Sequence, residues 1–232
     1  MLPGNGKPEL TVTLDPLEIE PDPGEVLRYL GYPAGAEAAK RIEDRVHRAI
    51  EETRGRLHAR GTYSLYPVTA KDRHSLTLAG RATFTGSIGD FLGGARRAAA
   101  FLATAGPEVV DLAEGALRQR DTLGGMVYNA LGSHLADAAS EGLIDHLRAQ
   151  AGPDESLTLC YSPGYCGIAL TQQLTLFTLL GAERIGVELL PAMIMKPVKS
   201  VSGLVGIGPR EAVMAYGNPC DRCPAVDCRM RR

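Results

Sequence analysis

Residues 156–167 read SLTLCYSPGYCG, and residues 193–203 read MIMKPVKSVSG. The run Ser156–Tyr161 (SLTLCY) predicts a strand that breaks at Ser162-Pro163-Gly164-Tyr165. Pro fixes one backbone dihedral there and Gly releases the next, so the chain must turn sharply before a helix expected over Ile168–Leu180. Such a loop can hold a polar ligand by its amides and carbonyls while Tyr165 covers an aromatic or cationic face. A Pro-Gly turn that merely joins a strand to a helix is the commoner case, so the turn alone is a weak signal of binding. Further strands are expected at Ile185–Leu190 and Ser200–Ile207, on either side of the Met193–Ser200 element.

Working outward, residues 1–22 read as an extended arm with one strand, Leu10–Leu14. A short helix is expected over Pro23–Leu30, stopped by Gly31-Tyr32-Pro33. From about 36 to 59, Ile42, Val46, Ile50 and Leu57 fall near one helical face, with Glu43, Arg45 and Glu51 elsewhere. TYSLYPVTA, HSLTLAG and RATFTGS are β-rich pieces separated by turn residues and predict a meander of strands. Ser87 can cap a helix opening at SIGDFLGG. AAAFLAT, residues 98–104, suits either buried element, and its end at Ala105-Gly106-Pro107 favours a strand.

Two helices are expected over 107–118 and 121–148. The second carries Val127, Leu131, Leu135 and Ala138 at helical spacing beside Gly124, Gly125, Ala130, Gly132, Ala136 and Ala139. Small residues at that density imply a close backbone approach, by another helix more readily than by a ligand. Helices and strands mix without a βαβ rhythm, and no GxGxxG follows a strand. The expected class is α+β, a twisted, mainly antiparallel sheet with flanking helices. The expected division is an arm over 1–22, a main domain over 23–210 and a cysteine-rich segment over 211–232.

The chain has 232 residues, enough for one large domain, and a formal charge of −2. A basic excess is absent, which argues against a nucleic-acid partner. The first residues lack the basic start and apolar stretch of a signal peptide, and no apolar run reaches the ~18 residues of a membrane span. A cytoplasmic location is therefore expected, with no membrane partner. Thiols stay reduced there, so the five cysteines read as free, redox or metal-binding residues rather than a disulfide framework.

The two quoted segments, joined by the helix TQQLTLFTLLG and the strand RIGVELL, carry a resemblance. Their order and spacing resemble the activation region of cobalamin (vitamin B12)-dependent methionine synthase. That family shows an S/A-P-G-Y turn, a helix, an Ile-Gly-Val-like strand, a Met-x-Pro element and an S-V-S-G strand. EVLRYLGY, IGDFLGGARRAAAFLATAG and the helix containing Leu131-Gly132-Ser133 extend the likeness over residues 23–208, as in shorter, free-standing relatives. The resemblance implies an activation-domain-like fold that binds S-adenosylmethionine beside a cobalamin held by a partner module. One electron and a methyl group from S-adenosylmethionine would restore methylcobalamin from its oxidised cob(II) form. The domain's share would be positioning, and the organometallic chemistry belongs to the cofactors.

Carried over residue by residue, Ser162, Pro163, Gly164 and Tyr165 would contact S-adenosylmethionine, largely through backbone. The family's Arg just before the turn stands here as Cys160, and its later Tyr has only the displaced Tyr216 as a counterpart. Arg forks onto a carboxylate with two hydrogen bonds, which a thiol cannot reproduce. The partner implied is a cobalamin-binding methionine synthase or another corrinoid protein, with an electron-donor protein behind it. No D-x-H-x-x-G cobalamin motif is present, so any corrinoid would come from that partner.

Cys220, Cys223 and Cys228 form C-x2-C-x4-C. Three thiolates at that spacing can converge on zinc or an iron–sulfur cluster, with Cys166 the better fourth ligand and Cys160 the second. Free or redox thiols are the alternative. His47, His58 and His146 are flanked by polar groups and read as surface residues; His134, among small residues, reads as packed rather than as a cobalt ligand. Lys196 and Lys199 suit either the edge of a corrinoid or a solvated strand edge. Three functions follow: an activation subunit of a methyltransferase, cobalamin-dependent methionine synthase; an iron–sulfur activator of another corrinoid methyltransferase; and a non-catalytic, zinc-containing docking module.

Overall fold

The computed structural model describes residues 6–33 and 35–222. Its elements are β1 (Leu10–Leu14), α1 (Pro23–Tyr29), α2 (Lys40–Thr53), β2 (Arg60–Lys71), β3 (Ser75–Leu78), β4 (Ala82–Thr85), α3 (Ile88–Phe91) and β5 (Arg97–Thr104). There follow α4 (Glu108–Arg118), α5 (Thr122–Ala149), β6 (Glu155–Leu157), α6 (Gln172–Phe177), β7 (Glu188–Leu189), β8 (Met195–Lys196), β9 (Ser200–Pro209) and α7 (Arg210–Tyr216).

A seven-stranded sheet runs in the order β4-β3-β2-β5-β9-β6, with β1 added against β2. All of its pairings are antiparallel. Long β2 serves two sets of neighbours. Gly61–Leu65 pairs with β1 on one side and β5 on the other, and Val68–Lys71 pairs with β3, with a register irregularity between Val68 and Ala70. β7 and β8 form a separate two-stranded ribbon.

RAAAFLAT became the strand β5 because both of its faces are covered. Ala99, Phe101 and Ala103 meet Tyr63, Leu143, Leu147, Val205 and Ile207 beneath α5. Ala98 and Ala100 face the opposite way, into a cluster with Phe84, Ile88, Leu92, Tyr161, Leu176 and Leu204. Leu102 seals a third group with Ala182, Ile185 and Val187. A strand buried on both faces shows no polar alternation, and this is why its sequence suited either element.

The small residues of α5 serve helix packing. A Cβ on Gly125 would stand 2.6 Å from Leu117 of α4, and one on Gly132 would stand 3.0 Å from both Val109 and the stem of Lys199. At the N-terminal side, Asp22 caps α1 by accepting from the amides of Gly24 and Glu25. Its own N–H donates to Nε2 of His134 at 2.9 Å. His134 is thus a packed histidine that ties the start of α1 to α5.

Several expected elements differ. The strand expected over Ser156–Tyr161 is regular only as Glu155–Leu157, with an isolated bridge at Tyr161. In place of a helix over 168–180, only Gln172–Phe177 is α-helical, bracketed by i→i+3 turns at Gln172, Gln173, Leu174 and Leu179. These turns direct Ile168, Leu176 and Leu179 into one cluster, which a continuous helix from the turn would not do. Ile185–Leu190 is not one strand. Ala182–Ile185 is a 3-10 turn ended by left-handed Gly186, and only Glu188–Leu189 pairs, with β8. Burial of Ala182, Ile185 and Val187 against Leu102 overrides the β propensity of the segment. α2 is also shorter than the expected 36–59, since the chain leaves the helix at Arg54 before left-handed Gly55.

Candidate functional site

The Ser162–Tyr165 turn lies on the sheet face opposite α5. Tyr161 bridges to β9 through reciprocal bonds with Leu204, N to O at 2.9 Å and O to N at 2.8 Å. Its ring stacks on Phe91 with centroids 4.7 Å apart and planes at 7°. The chain then reverses. Tyr165 N donates to Ser162 O at 3.2 Å, Gly164 N to Ile168 O at 2.8 Å and Ile168 N to Tyr165 O at 2.9 Å. Gly164, Cys166 and Gly167 take positive φ values of 93°, 53° and 76°. Glycine adopts these readily, whereas Cys166 does so against the usual preference of a residue with a Cβ.

The turn is cradled from below. Gly86, itself at φ +103°, comes so near that a Cβ there would stand 2.6 Å from Gly167 O. Gln172 accepts from Thr85 N at 3.1 Å and donates to its Oγ1 at 2.6 Å, pinning α6 to β4. Gln173, buried, donates to Ser202 Oγ at 2.9 Å and pins α6 to β9. Above this frame the surface is open and apolar, with Tyr165 54%, Leu170 48% and Leu174 54% exposed. Internal hydrogen bonds engage the amides of Gly164 and Tyr165 and the carbonyls of Ser162 and Tyr165, and the Tyr165 ring is the turn's large exposed group.

Phe91 and the residues after it are fixed separately. Nζ of Lys71 reaches Leu92 O at 3.3 Å and Ala95 O at 3.5 Å, and burial holds its ammonium below the ordinary lysine range. Lys199 donates to Ser133 Oγ at 2.8 Å, and burial lowers its pKa too. Lys199 therefore joins the approach to β9 to α5. Two clefts lie elsewhere, one of about 520 Å³ among α2, α4 and α5 and one of about 760 Å³ between Pro16–Pro23 and α2. Neither is lined by the turn.

Residues 79–218 match the family model described as "Vitamin B12 dependent methionine synthase, activation domain". The chain belongs to this family. The match takes in the turn, β9 and α7. A crystal structure of the MetH reactivation domain bound to AdoHcy superposes with a TM-score of 0.66 and 18% identity, covering 88% of this chain and 81% of that one. The antiparallel sheet with flanking helices is thus the activation-domain fold. No curated protein matches the chain in sequence.

Within this activation domain, Ser162, Pro163, Gly164 and Tyr165 form one continuous surface turn, with Pro163 buried and Tyr165 outward. Cys160 and Cys166 are exposed at its two ends, and Cys220 lies in a 3-10 turn, Pro219–Arg222. Cys223 and Cys228 lie outside the described residues, and among the described residues no group of three or more His, Cys, Asp or Glu is placed to hold a metal. No helix among them is long and apolar enough to cross a membrane. The supports of the turn (Gly86, Phe91, Gln172, Gln173 and Ser202) went unrecognised in the sequence reading. A glycine at the end of a strand, as in RATFTGS, is a general signal of close backbone approach; the rest are ordinary residues made important by position.

Proposed function

We propose that this activation domain binds S-adenosylmethionine at the Ser162–Tyr165 turn and supports reductive methylation of the cobalamin carried by a partner methionine synthase. The observation that carries this reading is the family match over a turn whose conformation is held on three sides while its outer face stays open. S-adenosylmethionine would supply an electrophilic methyl sulfonium, and the partner's cobalamin the metal that receives it. The residues of this chain orient. The exposed face of Tyr165 suits a cationic sulfonium or an adenine ring. Exposed Leu170 and Leu174 offer apolar contact to the docked partner, whose arrival would exclude water from the methyl group. The position that could fork onto the amino-acid carboxylate is Cys160, so that end of the ligand is expected to be held weakly.

Calorimetric titration with S-adenosylmethionine tests the binding. Tyr165→Ala is expected to weaken it about tenfold, the loss of a contact of ~1.4 kcal/mol, with an unchanged melting temperature because the ring is exposed. Absence of binding to the unaltered protein would remove the reading. Methylcobalamin formation on mixing with a cob(II)-loaded partner, an electron donor and S-adenosylmethionine tests the reaction itself.

One observation favours a second reading, an iron–sulfur activator that reduces a corrinoid protein without S-adenosylmethionine. All five cysteines lie either at the turn or in the last thirteen residues of the chain. In a third, zinc on those cysteines would be structural and the domain a docking module only. The visible spectrum of anaerobically prepared protein separates these two.

A further inference from the structure

We infer that Lys71 supplies the positive charge for the carboxylate of the methyl donor, and so selects an amino-acid sulfonium over one that lacks this carboxylate. The inference rests on the binding of S-adenosylmethionine proposed above. That ligand ends in an α-amino acid, whose carboxylate sheds water on docking and then needs a cation or several N–H donors. The turn itself offers neither. Cys160 is a thiol, and the amides of Gly164 and Tyr165 are engaged within the turn.

Lys71 ends β2 and is exposed as a residue, yet its Nζ lies over two backbone carbonyls, Leu92 O at 3.3 Å and Ala95 O at 3.5 Å. Both bonds are long for a charged donor, and they use two of its three hydrogens. No carboxylate of the described residues forms an ion pair with Lys71. That of Asp72, next in sequence, accepts instead from His74 N at 2.7 Å. By contrast, Arg81 is held by Thr178 O and Arg97 by Glu155, each at 2.6 Å. An ammonium bound only by carbonyls is suited to a docked anion.

The stretch that carries those carbonyls also supports the strand leading into the turn. Phe91, one residue before Leu92, stacks on Tyr161. Leu92, Ala95 and Thr158 crowd over Gly206, where a Cβ would stand 2.7 Å from Ala95 Cβ, 3.0 Å from Thr158 Cγ2 and 3.3 Å from Leu92 Cδ2. Thr158 precedes Cys160 by two residues, about 7 Å of extended chain. Lys71 is thereby fixed to the segment that lies against Thr158–Tyr161, in the cluster on the face that carries the turn. With its adenine or sulfonium on Tyr165, the ligand can run past Cys160 and bring its carboxylate to Lys71. The flexible four-carbon stem lets Nζ trade two long carbonyl bonds for one charge-assisted bond.

The test is calorimetric titration of the full chain with S-adenosylmethionine and with its decarboxylated form, the same sulfonium ending in an amine. The unaltered chain is expected to bind S-adenosylmethionine about tenfold more tightly. Lys71→Met keeps the stem and removes the charge. It should weaken only S-adenosylmethionine and bring the two affinities together, whereas Lys71→Arg should keep them apart. Equal affinities in the unaltered chain overturn the inference whatever the variants do. A Lys71→Met protein that loses affinity for both ligands alike also overturns it, because the lysine would then only support the loop, and so does one that loses none. In each of these cases the turn still stands as the binding site. Failure of the unaltered chain to bind either ligand removes the turn reading and the role of Lys71 together.

Discussion

Gly86 shows how far a single residue far from any chemistry can shape the candidate site. It sits at φ +103°, and its missing side chain is what lets Gly167 O come close. Gly86→Ala would add both left-handed strain and a Cβ 2.6 Å from a backbone oxygen. The neighbour is main chain and cannot rotate aside. The expected loss is about 1–3 kcal/mol in urea unfolding, together with weaker binding of S-adenosylmethionine as the turn shifts. Unchanged affinity in a destabilised Gly86→Ala protein would show that the turn does not need this cradle. Tyr165 is the opposite case, half-exposed and expected to matter for binding and not for stability.

Among the elements, α6 depends most on others. Six residues of helix are too few to be stable alone, so tertiary contacts must hold it. Gln173 and Ser202 are each 3% exposed, and their bond joins α6 to β9. Gln173→Ala would leave the Ser202 hydroxyl buried with that partner removed, a loss of about 1–3 kcal/mol. Hydrogen exchange should show faster opening over 161–178 in this variant while β5 and α5 stay protected. Uniform loss of protection across the molecule would instead mean that α6 and the sheet open as one unit. The sequence suggested a longer helix here because periodicity reports apolar spacing, and the same spacing is met by a string of turns that feed one cluster.

On the scale of the whole molecule, Glu155 ties the edge strand β6 across β9 to β5. It accepts from Gly152 N at 2.9 Å and from Arg97 at 2.6 Å, linking edge strand β6 to central β5. The Gly152 amide, and after it Arg97, hold its carboxyl below the ordinary 4.5. A carboxylate whose folded pKa is lowered contributes stability that is full above its unfolded pKa and is lost as pH falls through the folded value. Stability should therefore fall as pH drops below about 4.5, and Glu155→Gln should flatten that part of the pH–stability curve. A Glu155→Gln protein with the same acid slope as the parent would place the acid sensitivity elsewhere. Much of the fold was legible without coordinates: the strand Leu10–Leu14, the meander of β2–β4, the strand nature of AAAFLAT and the two long helices, because each carries its own periodicity and its own stop signals. The Ser-Pro-Gly-Tyr turn was legible as well, since Pro and Gly dictate backbone geometry locally. What no local pattern encodes is contact between distant segments. Only the tertiary structure brought Gly86 beneath Gly167, Phe91 against Tyr161 and α7 over Gly94, and reduced 185–190 to a 3-10 turn and two paired residues. The sequence by itself determined which residues form the turn and the strand Ser200–Ile207 beside it; the fold decided how much of SLTLCY pairs and what holds that turn open, because burial and close backbone approach are properties of pairs of segments and not of either one alone.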